Sequence, residues 1–276
     1  MAVTTRVEPR QPAPGTTRRA SGRRRPPPQY TYGTAAVVAA LALWEVLALL
    51  RVRPAIVLPG PGDVITAFGN LFSTSAIWTD LLTSGRELLL GLVFATLVGL
   101  PVGMLIGWYR RLSWILSPFV SFLYATPRIA LTPLLIIWLG IGDSSKIMIV
   151  FLMAVFPILI NAASGVRNLD PAVLRVARCF GGTDLQIFRT IALPGTVPFV
   201  ISGLRLAVGQ ALIGVFVAEL SGAQAGVGML MNNAGQQFQT SVVFAGLFIF
   251  ALTGVTLNAL LQRVERHFDS WRNTSD

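Results

Sequence analysis

The chain has 276 residues, of which 53% are hydrophobic and only 12% charged, and its mean hydropathy is +0.66. Soluble domains carry about a quarter of their residues as charged side chains, so an ordinary soluble fold is excluded and a polytopic, all-α membrane protein is indicated. The formal charge of +10 does not mark a nucleic-acid binder, because the basic residues fall in tails and short loops rather than along one folded face.

Residues 1–33 are rich in Arg, Pro and Thr, with Arg23, Arg24 and Arg25 followed by Pro26, Pro27 and Pro28. They show no apolar period and read as a disordered basic tail. A signal peptide is not expected, given the long basic region and Arg51 and Arg53, which follow the first apolar run where small residues would be needed. Six apolar runs come next, at 34–50, 83–107, 113–139, 146–163, 197–220 and 241–262, each about long enough to cross a bilayer. The organisation predicted is a tail at 1–33, a first span with an extracytoplasmic segment at 34–80, a core at 81–262 and a C-terminal tail at 263–276. With the N-terminus inside, sixteen Lys and Arg fall on the cytoplasmic side, against four outside: Arg51, Arg53, Arg86 and Lys146. That asymmetry fixes the orientation, with both termini in the cytoplasm.

Between the first two runs, Leu58 to Asp63 is rich in turn residues, and Val64, Ile65, Phe68, Leu71 and Phe72 predict a short interfacial helix. Gly91, Ala95, Gly99, Gly103 and Gly107 place a small residue at every fourth position of the second run, which predicts a close helix contact, within the chain or at a dimer seam. Pro118, Pro127 and Pro133 punctuate the third run. Proline at membrane depth frees carbonyls and is tolerated where they face protein or a wet cavity.

Residues 168–198 form a hydrophilic loop between apolar runs, carrying Arg175, Arg178 and Arg189 with Asp170 and Asp184. Asp170 and Pro171 are a strong helix start. Gly181 and Gly182 end that helix, and Thr183 caps another, in which Leu185, Phe188, Ile191 and Ala192 recur at helical spacing until Leu193 and Pro194 stop it. A short helix, a glycine elbow and a second short helix read as a docking surface for something soluble. The lone cysteine, Cys179, lies beside the elbow, cannot form an intrachain disulfide or a thiolate metal centre, and reads as a small buried packing residue.

This loop resembles the EAA loop of ABC-importer permeases, with Arg175, Val176, Ala177, Gly181, Phe188, Leu193 and Pro194 at the motif positions. The acid that opens the family pattern is Arg175 here. The resemblance implies a type I importer fold, a coupling helix inserted into an ATPase subunit, a homodimer, two cytoplasmic ATPases that hold ATP and Mg, and an extracytoplasmic binding protein. It assigns the coupling role to Arg175, Ala177, Arg178, Gly181, Gly182, Thr183, Asp184, Leu185, Phe188, Leu193 and Pro194. Thr126 to Leu134, Ile136 to Gly142, Gly165 to Pro171 and Gly226 to Leu230 are similar to permeases for sulfonate, taurine, nitrate and bicarbonate. An aliphatic sulfonate or taurine is the cargo this implies, with nitrate, bicarbonate, aromatic acids and vitamin precursors as alternatives.

Ionisable groups inside spans are costly and mark candidate pathway residues. Arg128 falls about 22 Å along a helix from the inner face, and its planar fork suits a small oxyanion; the competing reading pairs it with Glu219. Glu219 is a gate residue or the partner of a buried arginine, and Arg205 holds loop carbonyls or headgroups. Asn232, Asn233, Gln236, Gln237 and Gln239 form a polar outer segment, solvated or facing a binding protein. No phosphate-binding Gly-x-x-x-x-Gly-Lys loop, nucleophile elbow or His-Glu-x-x-His pair is present, so the chain is not itself an enzyme and ATP must bind elsewhere. An ion-driven carrier or a membrane scaffold are the rival classes, separated from an importer by whether a stoichiometric ATPase co-purifies.

Overall fold

A computed structural model of the chain describes residues 28–50 and 57–269, and every regular element among them is helical. The basic residues before Pro28, Arg51, Arg53 and Arg272 lie outside the described residues. The chain divides into two units between Trp44 and Glu45. The first contributes most of α1 (Pro28–Leu49), whose Tyr32–Leu49 stretch is apolar enough to cross a membrane. This helix begins six residues before the expected span and takes in the end of the proline-rich tail.

In the second unit, the short helix expected between the first two runs is present as α2 (Pro61–Ser73), started by Pro61 and capped at that end by an Asp63 carboxylate that accepts from Gly60 N–H at 3.0 Å. Its buried face, Val64 and Ala67, with Phe68, Leu71 and Phe72, packs beside Ile77, Met231 and Ile249. Three long helices then form the core: α3 (Ala76–Trp108), α6 (Asp143–Arg167) and α9 (Leu193–Leu220). Helix α6 lies between the other two and contributes Val150, Ala154, Ile158 and Ala162, all fully enclosed. Helix α11 (Thr240–Asp269) packs on α9 and α2 and runs through the first residues of the expected C-terminal tail.

The small-residue stripe on α3 meets α6 within the chain. A Cβ on Gly99 would lie 2.9 Å from Val155 O, one on Gly103 2.9 Å from Ala162 Cβ, and one on Gly107 2.8 Å from Ala163 O. Backbones approach this closely only where no side chain stands between them, and the gain is dispersion, since lipid tails are as apolar as the helix surfaces.

Five helical stretches of the described residues are long and apolar enough to span a membrane. The third apolar run is a sixth only as a broken pair, because α4 (Arg110–Ala125) and the segment Arg128–Leu139 meet at 86°. The single straight span expected over 113–139 is therefore corrected. Pro127 lacks an N–H and forces Thr126 out of the helical region, to φ −69 and ψ 135. A 3₁₀ turn (Arg128–Leu131) then restarts the chain into α5 (Thr132–Leu139).

Candidate functional site

The hydrophilic loop folds as expected for its first half. Asp170 caps α7 (Pro171–Cys179), its Oδ1 accepting Ala172 N–H at 2.7 Å. The helix ends in a paired-carbonyl cap: Gly181 N–H donates to Arg178 O and Gly182 N–H to Ala177 O, both at 3.0 Å. Gly181 sits at φ +79, a left-handed conformation that favours glycine. At Gly182 the demand is steric, because a Cβ would fall 2.9 Å from Ala177 O and 3.2 Å from Ile187 Cγ1. Thr183 then caps α8 (Asp184–Ile187) in a reciprocal box, with Gln186 N–H on Thr183 Oγ1 at 3.4 Å and Thr183 N–H on Gln186 Oε1 at 2.9 Å.

Leu193 and Pro194 do not stop this second helix. Helix α8 continues through a π turn (Phe188–Ala192) into α9, giving one helical span from Asp184 to Leu220. The π turn resolves the conflict: Leu193 N–H reaches back to Phe188 O, and Pro194, in the first turn of the straight segment, has little N–H bonding to lose. Phe188 anchors the junction by an edge-to-face contact with Trp108 at 5.4 Å, within a cluster that includes Met104, Ala162 and Leu169. Ile187 is buried beneath the elbow.

The outer face of the loop is bare. No residue of α7 is buried, and Val173, Val176, Phe180 and Leu185 are exposed, Phe180 to 87%. Arg178 lies 3.9 Å from Asp184, both well exposed, whereas Arg175 and Arg189 make no ion pair among the described residues. Cys179 is exposed, so it is not the buried packing residue expected: the apolar positions of α7 that turn inward are Leu174 and Ala177.

The three candidate pathway residues are not brought together. Arg128, half-buried at the break in the third run, donates from Nη1 to Met153 O at 3.3 Å and lies 5.2 Å over the Tyr124 ring and 5.5 Å over Phe156. It does not pair with Glu219, and the helix break removes the 22 Å depth that assumed a straight span. Arg205 pairs with Glu265 of α11 at 2.5 Å, in place of loop carbonyls or headgroups.

Glu219 has no arginine partner among the described residues. Fully buried, it accepts from Ser84 Oγ and from Gly228 N–H. Val227 N–H donates to Ser84 Oγ at 2.9 Å and Gly226 N–H to Asp80 Oδ1 at 2.8 Å. The amide of the Gly226 cap and the first two amides of the short helix α10 (Val227–Gln236) are thus held by side chains of α3 and α9. This explains the glycines flanking Val227, since a Cβ at Gly228 would lie 2.8 Å from Glu219 Oε2. On α10, Asn233 and Gln236 of the polar outer segment are exposed, as are Gln237 and Gln239 beyond it.

A second buried pair was missed. Lys146, expected as an outer loop charge, lies inside α6 and bonds Glu87 of α3 at 2.7 Å, with Glu87 Oε2 left without a partner among the described residues. The readable signal was Glu87 standing in the second apolar run, four positions before Gly91 on the packed stripe. Beside it, Arg86 pairs with Asp143 at 3.1 Å in a more exposed position.

Residues 99–273 match the profile of the family described as "Binding-protein-dependent transport system inner membrane component". The chain is 36% identical over 234 residues to a Bacillus subtilis (strain 168) protein named as the aliphatic sulfonates transport permease SsuC, covering 85% of each chain. It is 31% identical over 244 residues to the Escherichia coli (strain K12) taurine transport system permease protein TauC, covering 87% of this chain and 88% of that one. Among solved structures it is similar to the MetNI methionine ABC transporter in an inward-facing conformation, with a TM-score of 0.61 and 20% identity over 70% of this chain and 97% of that one. That likeness concerns the fold.

Proposed function

Because the chain belongs to the ABC-importer permeases, the inner-membrane components of binding-protein-dependent transport systems, we propose that its α7–α8 loop couples a cytoplasmic ATPase to the membrane helices. The supporting observation is mechanical. A capped helix and a rigid glycine elbow lead without interruption into a helical span from Asp184 to Leu220. Movement of the loop therefore has a direct path into the core, where α9 packs along α6. Arg175, Ala177, Arg178, Gly181, Gly182, Thr183, Asp184, Leu185, Phe188, Leu193 and Pro194 make up this coupling segment. Val176 and Phe180 provide its exposed apolar contact.

In this reading two copies of the chain line the path, two ATPases bind ATP and Mg, and a separate binding protein delivers the cargo from the opposite side. Both termini and the loop face the cytoplasm, in keeping with the distribution of Lys and Arg. ATPase closure and opening bias the spans between outward- and inward-open arrangements.

The cargo is proposed to be an aliphatic sulfonate or taurine, on the names of the relatives and on Arg128, whose fork suits a small oxyanion. Glu219 and Arg205 serve here by holding α10 and α11 rather than by touching cargo. Reconstitution with the companion ATPase and binding protein tests the reading: taurine or an alkanesulfonate should be taken up in an ATP-dependent way. Uptake of nitrate, bicarbonate or an aromatic acid instead would keep the class and replace the cargo. Gly182→Val should leave ATP hydrolysis running while transport falls; wild-type coupling in that variant would remove the elbow from the mechanism. Arg128→Ala and Arg128→Lys with unchanged uptake affinity and turnover would remove Arg128 from the path.

A further inference from the structure

Helix α7 is capped at both ends and presents two ridges to solvent. One is apolar, made of Val173, Val176 and Phe180, which fall at i, i+3 and i+7. The other is basic, made of Arg175 and Arg178. Of the charges around it, Asp170 is occupied by capping Ala172 N–H and Asp184 lies against Arg178. Arg175 and Arg189 remain exposed and without a carboxylate among the described residues. Just before α7, Arg167, exposed, donates to Ser113 Oγ at 2.8 Å, so the nearest cross-helix contact at this end is to the start of α4, which carries Arg110 and Arg111. An apolar ridge this exposed requires a covering surface, and the charge left over on it is positive.

We propose that the partner covering α7 presents an apolar groove rimmed by carboxylates, at least one of them facing Arg175. This rests on the coupling role proposed above and adds the chemistry of the surface that the ATPase must offer. Charge complementarity chooses the partner's side chains. The rigid build of the loop, with its capped ends, Gly182 closed against Ala177 O and Phe188 wedged on Trp108, favours a protein that exerts force over a lipid surface, which needs no such bracing. An exposed arginine–carboxylate pair contributes modestly to affinity. Its larger effects are on register and on rejection of wrong partners, since like charges placed opposite one another are strongly disfavoured.

Cys179 provides the readout. It is the chain's only cysteine, it is exposed, and at about 100° per residue it falls between Val176 and Arg175 on the helix. Full-length permease in vesicles would be labelled with a maleimide, alone and with the companion ATPase, at low and high salt. Binding of the ATPase should protect Cys179. Arg175→Glu should weaken that protection roughly three- to tenfold in ATPase concentration, and an acid-to-Lys change in the ATPase groove should restore it. Val176→Asp should abolish protection outright.

The outcomes separate the two claims. If Cys179 labels equally with and without ATPase, the coupling role of α7 fails. If the ATPase protects Cys179 and Val176→Asp abolishes this, while Arg175→Glu binds like wild type, the coupling role stands and the acidic rim is refuted. Protection in anionic vesicles without any ATPase would assign the surface to lipid and overturn the proposal.

Discussion

Replacing Lys146 with Met removes one half of a pair whose side chains are 9% and 1% exposed and whose atoms stand 2.7 Å apart. At an effective dielectric of about 20, two unit charges at this distance attract by about 6 kcal/mol, a gross value that desolvation largely offsets. What the single substitution exposes is the other half. Glu87 stays buried with its Lys146 partner gone and with Oε2 already unpartnered among the described residues, and isolating one member of a buried pair costs about 3–5 kcal/mol. Substituting both Glu87 and Lys146 by Met removes the unpaired charge together with its cause, so the double variant should recover most of the loss. The assay is heating of the detergent-purified chain followed by the fraction that remains monodisperse, for wild type, both single variants and the double variant. Lys146→Met should lose the protein many degrees earlier than wild type, with the double variant much closer to wild type. A single variant as heat-resistant as wild type, or a double variant no better than the single, would refute the assignment of Lys146 and Glu87 to one buried pair.

Three further outcomes follow from the same geometry. Glu219→Ala leaves Gly228 N–H and the Ser84 hydroxyl without their acceptor, at about 1–3 kcal/mol for each buried orphan; limited proteolysis should cut near residues 221–240 far sooner than in wild type. Gly103→Val thrusts two methyls into the Leu159 backbone and should cost about 1–3 kcal/mol or more, read as lower heat resistance, while Gly85→Ala, where a Cβ meets nothing within 4 Å, should be tolerated. Arg205→Ala should loosen α11 less than the Lys146 change loosens the core, because the Arg205–Glu265 pair is partly exposed; a double-mutant cycle with Glu265→Ala measures the coupling.

The parts of the fold legible in the sequence were those set by local rules. Asp170 with Pro171, Gly181 with Gly182, and Thr183 with Gln186 each announce a cap through residues within a few positions of one another. The stripe from Gly91 to Gly107 announced a close approach, though not its partner, because spacing on one helix carries no address for the other. Long-range pairings were illegible for the same reason. Ser84 and Glu219 stand 135 positions apart, and Glu87 and Lys146 59 apart. Lys146 was mistaken for a loop charge because it stands only three residues beyond Asp143, where α6 begins. Proline misled in both directions. Pro127 breaks a run that hydrophobicity alone would join, and Pro194 fails to break one because a π turn absorbs it.

The uninterrupted stretch from Asp184 to Leu220 has a geometric corollary. Its 37 residues make a rod about 55 Å long, so a tilt of about 5° at the foot carries the far tip sideways by about 5 Å. That tip bears Glu219, which grips the opening amides of α10 through Gly228 and Ser84. In the proposed mechanism, leverage of this kind would carry a small displacement at the loop to the far end of the helix, less whatever the π turn at Phe188–Ala192 and Pro198 absorb by bending.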